Sequence, residues 1–324
     1  MIEPDQSARL SLETGPDMLV APRSFFGAPW CEDIGMPDAD VAFIGVPHDQ
    51  GAMNSGARYA PNVLRDTRSF SYTAGRDENG KPGGYFDIDK DRHMLAGVTM
   101  ADCGNIYNVP GDVERNFWRI TRVMRQIAAR GSLFVAFGGD HSVTSPIVRG
   151  LDRIGRPIDI VHFDAHHDYR EHREGVRYAN SAPLRRCAEF PWVRNISHFG
   201  IHDAGYPREP IDALRARGNV LVTADKFREI GPEAAMALVP ESDAIYLTFD
   251  IDVMDPSLCP GTGSPVPGGL NYLETRAALR ALARRGDVIG MDLVEVAPHF
   301  DVNGITSRTA LSLVIDLLTA VFEG

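Results

Sequence analysis

Three short stretches of this 324-residue chain concentrate the side chains that bind cations and move protons. One reads Val161-His162-Phe163-Asp164-Ala165-His166-His167-Asp168. Successive side chains of an extended segment alternate faces, so Asp164, His166 and Asp168 are expected to project together, with His167 opposite. His162 shares their face but sits deeper in the strand and is left out of the ligand set. The second stretch, Phe249-Asp250-Ile251-Asp252, repeats the spacing of two. The third, Gly138-Gly139-Asp140-His141-Ser142, presents His141 after paired glycines that let the backbone turn sharply. Gathering Asp164, Asp168, Asp250 and Asp252 without cations is costly, because like charges repel at short range. Two divalent metal ions resolve that conflict. Four carboxylates with the imidazoles of His141 and His166, and no thiolate, suit manganese; nickel is the main alternative, and iron, cobalt or zinc accept the same donors. Aspartates that merely cap helices at strand ends would explain one such cluster more easily than three.

The elements that must position these clusters follow from the apolar pattern. Strands are expected at 41–46, 98–102, 133–137, 158–163, 196–201, 220–222, 245–249 and 288–293, and helices at 113–129, 143–154, 207–217, 272–285 and 307–322. Strands that read as continuous apolar runs and alternate with helices imply a parallel sheet covered on both faces. The expected fold class is α/β, a three-layer α/β/α domain with a mostly parallel sheet of about eight strands. Ligands of such sheets bind beyond the carboxyl ends of the strands, where all three clusters lie. Residues 39–324 are expected to form this single domain. Residues 1–38, with weak periodicity and several prolines, read as an N-terminal extension over the surface or an oligomer contact. The stretch 74–85, rich in glycine and charge, reads as a loop.

A net charge of -11 argues against a general nucleic-acid or anionic-membrane binder. The start of the chain is polar and acidic, without the basic and apolar regions of a secretory signal, so a cytoplasmic location is expected. No apolar run approaches the roughly 18–20 residues that span a bilayer; the nearest, 311–322, contains Asp316 and reads as an amphipathic helix. Cys31, Cys103, Cys187 and Cys259 form no CxxC pair and are expected as free, mostly buried thiols. Arg185-Arg186 and Arg284-Arg285 read as solvated basic pairs, and His48 and His299 either as residues of the site rim or in surface or capping roles.

The three clusters resemble the metal motifs of the ureohydrolase family, which includes arginase, agmatinase, guanidinobutyrase and proclavaminate amidinohydrolase. The similarity runs from about Val41 to Phe322. It takes in Gly45-Val46-Pro47, Gly56-Ala57-Arg58, Pro61 through Arg65, Pro260-Gly261-Thr262-Gly263-Ser264-Pro265, Gly268-Gly269-Leu270 and Val294-Glu295-Val296-Ala297-Pro298. The resemblance implies an arginase-like fold in which Asp164 and Asp250 bridge two metals, one adding His141 and Asp168, the other His166 and Asp252. It further implies that a bridging hydroxide attacks the carbon of a small cationic guanidino substrate. Asp168 would pass a proton to the departing amine, Glu295 would pair with the guanidinium nitrogens, and the products would be urea and an amine. Related proteins form trimers or hexamers, so a homo-oligomer is expected.

The resemblance is to the agmatinase-like branch, with departures. Twelve residues after Asp168, where that branch usually carries a histidine, this chain has Asn180, which cannot titrate; it remains able to hydrogen-bond a substrate nitrogen. The loop 49–54 is slightly short and lacks the usual arginine before Gly56. His202 stands where an arginine is common, Asn105 for a frequent aspartate, and Ser264 for a frequent threonine. With Glu295, Asn180 and Ser264 as the substrate-binding set, these changes favour an unusual substrate such as a substituted guanidine or biguanide over a familiar one. Two other readings stand beside this one: an amide hydrolase of the same fold, which needs fewer ligands, and a catalytically reduced metal-binding partner subunit of a ureohydrolase complex.

Overall fold

Val41 and Phe43 turn their side chains to one face of a strand and Ala42 and Ile44 to the other, and both faces are buried. A strand with two dry faces needs a layer of helices on each side, and the rest of the chain supplies them. The computed structural model describes residues 23–31, 39–54, 56–67, 82–203 and 207–323. In chain order the strands are β1 (Val41–Gly45), β2 (Tyr85–Asp87), β3 (Arg92–Met94), β4 (Met100–Asn105), β5 (Leu133–Phe137), β6 (Ile158–Phe163), β7 (Val193–Ile201), β8 (Val220–Thr223), β9 (Ser242–Asp250) and β10 (Gly286–Val294). The helices are α1 (Ala60–Asp66), α2 (Val113–Ala128), α3 (Thr144–Arg149), α4 (Pro183–Cys187), α5 (Arg208–Ala216), α6 (Ala224–Ile230), α7 (Pro232–Met236), α8 (Tyr272–Leu282) and α9 (Ile305–Glu323).

Eight strands form one sheet in the order β4-β1-β5-β10-β9-β6-β7-β8, every pair parallel. The expected three-layer α/β/α architecture is therefore present. β2 and β3 make a separate antiparallel hairpin that the apolar pattern did not announce. After β5 the chain crosses to β6 and works outward to β8; β9 and β10 then enter between β5 and β6. Four strands remote in sequence thus lie side by side at the centre, and their carboxyl ends open onto one place. Buried side chains of α8 and α9 cover one face, and those of α2 and α3 the other.

The structure differs locally from the sequence expectation in three places. α3 spans only Thr144–Arg149 and is capped by Gly150, where α2 packs so close that a Cβ would come within 2.6 Å of Met124. β4 starts later than expected and runs through Asn105, paired with β1. Of the expected extension, residues 23–31 are described: Phe25, Phe26 and Ala28 are buried, while Gly27, Pro29 and Trp30 are exposed. Phe25 is fully buried, stacks on Phe137 with ring centroids 4.1 Å apart, and donates its backbone N–H to Asp102 Oδ2 at 2.9 Å. Most of the 74–85 stretch lies outside the described residues. α9 is long and apolar enough by composition to cross a membrane, but it packs in this core, where Asp316 accepts from Tyr272 Oη at 2.6 Å. None of the four cysteines is in a disulfide, and Cys103, Cys187 and Cys259 are buried.

Candidate metal centre

The central strands β5, β10, β9 and β6 lead into His141, Glu295, Asp250 and Asp164 respectively. The turn after β5 is tight for want of room. A Cβ on Gly139 would stand 1.5 Å from the His48 carbonyl oxygen, so glycine here permits a close approach of two backbones. Asp140 caps the following 3-10 turn through Ser142 N at 3.0 Å and also accepts from Gly51 N at 2.7 Å. His141 is thereby fixed, fully buried, with its Nε2 2.9 Å from Thr248 Oγ1. Thr248 in turn donates to Asp292 Oδ1 at 2.6 Å, and Thr144 and Tyr246 also donate to that carboxylate.

With Nε2 engaged, Nδ1 of His141 faces Asp164 Oδ2 at 3.1 Å, Asp168 Oδ2 at 3.0 Å and Asp250 Oδ2 at 3.2 Å. None of these contacts has hydrogen-bond geometry, so a buried ring nitrogen and three carboxylate oxygens converge without satisfying one another. Beside them, His166 Nδ1 lies 3.2 Å from Asp164 Oδ1 and 3.1 Å from Asp252 Oδ2. Asp164 therefore turns one oxygen to each histidine. Donors of this kind fit two hard or borderline divalent cations, one per histidine. Asp250 accepts from Asp252 N at 2.9 Å through its other oxygen, so it also does the ordinary work of capping a turn.

The electrostatics ask for positive charge. Burial, then the charges of Asp252 and Asp164, pushes Asp250 well above the carboxylate range. Burial and Asp164 push Asp168 up to about 6, and the same two causes raise Asp252. Burial opposes charge on Asp164 too, but the closely placed imidazoles of His141, His162 and His166 outweigh it and hold the group well below its ordinary value. Burial likewise opposes protonation of His141, yet Asp164, Asp168 and Asp250 raise its pKa well above that of free imidazole. A cation among these carboxylates would do what the protons do in its absence.

All six expected ligands come together, but not by strand alternation. β6 ends at Phe163, and Asp168 adopts φ 45°, in the left-handed region. A non-glycine residue there is strained; the bend swings Asp168 back toward His141. Glu295 is strained likewise, at φ 61°, just beyond β10. Its Oε1 accepts from His141 N at 2.9 Å and from Asn180 Nδ2 at 3.1 Å. Burial and the charge of Asp140 push its pKa up to about 8. Asn180 Oδ1 is buried without a hydrogen-bond partner. Ser264 is exposed and shares a cavity of about 170 Å³ with His166, Asp168, Arg170, Arg173 and Asp203. A larger cavity, about 790 Å³, lies at the opposite, amino ends of the strands near Asp40, Ser132 and Asp287 and holds none of these groups.

Several residues change role. His162, set aside as too deep, places its Nε2 2.8 Å from Asp164 Oδ2, which accepts from it; its shared face with Asp164 was the available signal. Thr248, Asp292 and Tyr246 carried no signal of their own. Asn105 is not in the site: it accepts from Arg65 Nη1 at 2.5 Å, while Arg65 also binds Asp102. Arg186 is not solvated but buried, paired with Glu171 at 3.1 Å and Glu189 at 3.0 Å. His202 bridges Gly200 O at 2.6 Å and Val266 O at 3.0 Å, bracing the loop that carries Ser264.

The sequence model of the arginase family matches residues 39–320. The chain belongs to the arginase family. It falls with the agmatinase-like members and is a ureohydrolase-type hydrolase acting on C–N bonds of linear amidines. It is 35% identical over 290 residues to a guanidinopropionase of Pseudomonas aeruginosa, covering 87% of each chain. A proclavaminate amidinohydrolase of Streptomyces clavuligerus is 32% identical, with 86% of this chain and 87% of that one covered. The solved structure of the Streptomyces amidinohydrolase superposes with a TM-score of 0.79 at 30% identity, covering 93% of this chain and 97% of that one. A formimidoylglutamase of Bacillus subtilis, 24% identical, shares the fold with a TM-score of 0.80, over 95% of each chain.

Proposed function

We propose that residues 39–324 form a binuclear-metal ureohydrolase that cleaves the C–N bond of a small guanidino compound, releasing urea and an amine. The observation that supports it most is the pairing of two buried histidine nitrogens with carboxylates that share Asp164. In this reading His141 and Asp168 serve one cation, His166 and Asp252 the other, with Asp164 and Asp250 common to both; Asp250 feels the charges of both Asp252 and Asp164. Two divalent ions, manganese first and nickel second, would offset the carboxylate charge and lower the pKa of bound water. Glu295 pairs with the guanidinium, whose fork geometry suits a carboxylate. Asn180, its amide nitrogen held on Glu295, offers Oδ1 to a substrate N–H. Asp168 carries the proton that the departing amine needs.

The cavity beside His166 and Asp168 is lined by Arg170 and Arg173, with Asp203 and Ser264. Two arginines there favour a substrate whose far end is a carboxylate over one that ends in a second cation, such as agmatine. That is in keeping with the names guanidinopropionase and guanidinobutyrase borne by relatives. Assembly as a homotrimer or hexamer belongs to the same proposal, and light scattering tests it.

The experiment is metal analysis with a panel of guanidino acids, agmatine, substituted guanidines and biguanides. The expected result is about two metal ions per chain and urea release, fastest from a guanidino acid. One ion or none, with no urea after loading with manganese or nickel, overturns the proposal. Full metal occupancy without turnover would favour a metal-binding partner subunit instead.

A further inference from the structure

His162 and His198 face each other across β6 and β7, which pair in register at these two residues. Both are fully buried, and their Nδ1 atoms are 2.9 Å apart. At that distance one nitrogen must carry a proton and the other a lone pair. The outer end of the contact decides which. Arg217 donates from Nη1 to Asn219 Oδ1 at 3.1 Å and from Nη2 to Val193 O at 2.8 Å. A guanidinium has donors only, so the oxygen of Asn219 faces Arg217 and its Nδ2 faces His198 Nε2, 3.4 Å away. His198 Nε2 must then accept, which leaves its proton on Nδ1, donated to His162 Nδ1. The proton of His162 is therefore on Nε2, 2.8 Å from Asp164 Oδ2. The inner end demands the same direction, because a carboxylate only accepts.

Both oxygens of Asp164 consequently hold a donor, His162 Nε2 on Oδ2 and the His166 backbone N–H on Oδ1 at 2.5 Å. With both ends held, the carboxylate cannot rotate to chelate a single ion and must keep one oxygen toward each histidine cluster. We propose that Arg217, Asn219, His198 and His162 are positioning residues: a one-directional hydrogen-bond chain that locks Asp164 in its shared orientation and so sets cation affinity at both clusters. This rests on the reading of Asp164 as a common ligand. Its readouts, cation affinity and imidazole tautomer, are independent of turnover. Loss of such outer partners typically weakens metal binding ~10–100-fold.

The test is calorimetric titration of Mn2+ into the metal-stripped full chain, with ¹⁵N-histidine NMR of the same protein. His198→Leu should weaken Mn2+ binding ~10–100-fold, whereas His198→Gln, whose amide still donates to His162, should stay within about threefold. Asn219→Leu, which keeps His198 in the core, serves if His198→Leu does not fold. NMR should show His198 protonated on Nδ1 and His162 on Nε2, assigned by the signals lost in His198→Gln. Unchanged Mn2+ affinity in the leucine variants, or a His198 proton on Nε2, overturns the inference while leaving the metal centre standing. A wild-type chain that takes up no Mn2+ brings down the metal reading and this inference with it.

Discussion

Asn180 holds its amide nitrogen against Glu295, and an amide at this position can hydrogen-bond a ligand but cannot titrate. Asn180→His should therefore change which guanidino compound is turned over best, with kcat/KM for the preferred substrate falling about tenfold and metal content unchanged. On the proposed pairing of Glu295 with the guanidinium, Glu295→Gln removes the carboxylate opposed to that cation. KM should rise about 10–100-fold, the cost of one charge-assisted hydrogen bond, again with both metals retained. Calorimetric or elemental metal analysis beside steady-state kinetics separates these effects from loss of the centre. At this scale the sequence was informative wherever residue type alone dictates chemistry. All six expected ligands, Asp164 to His141, stand together in space. It was silent on Thr248 and Asp292, because a threonine and an aspartate in an apolar strand announce nothing until a histidine is seen leaning on them.

Strand periodicity and apolar runs made the central elements readable, since a parallel sheet with two dry faces has few other ways to be written. The convergence of Asp168 was not readable from period, because it depends on a left-handed bend that no alternation encodes. Nor was the packing of Phe25 into the sheet, which lies ahead of the expected domain boundary. Phe25→Ala should cost about 3–5 kcal/mol, measured as a fall in denaturation midpoint; a change below 1 kcal/mol, estimated on the scale of surface substitutions, would mean the segment is not anchored there. On β6, burial would raise the pKa of Asp159, but hydrogen bonds from Arg194, Ser242 and Asn195 outweigh it and hold it below the ordinary carboxylate value. A depressed folded pKa contributes stability above the unfolded value, near 4, that is lost as pH falls through the folded one. The melting-temperature gap between wild type and Asp159→Asn should therefore be widest near neutral pH and close as pH drops below about 4.

For the whole molecule, bound cations act on the folded state alone, so stripping them with a chelator should lower the melting temperature. Readdition should restore it with a logarithmic dependence on metal concentration. Asp164→Asn should shrink that metal-dependent increment, while a substitution at the far cavity, such as Ser132→Ala, should leave it intact. The order of the strands also constrains how this chain comes to exist at all. As it leaves the ribosome, β4-β1-β5 and β6-β7-β8 can each pair among themselves, but β5 and β6 keep bare edges toward each other until residues 242–294 have been made. Unpaired strand edges invite association with other chains. The late arrival of β9 and β10 closes that gap and, in the same movement, brings Asp250, Asp252 and Glu295 to His141 and Asp164. A nascent chain that stalls before β10 would thus be both sticky and inactive, because the strands that close the sheet are the same ones that complete the carboxylate cluster.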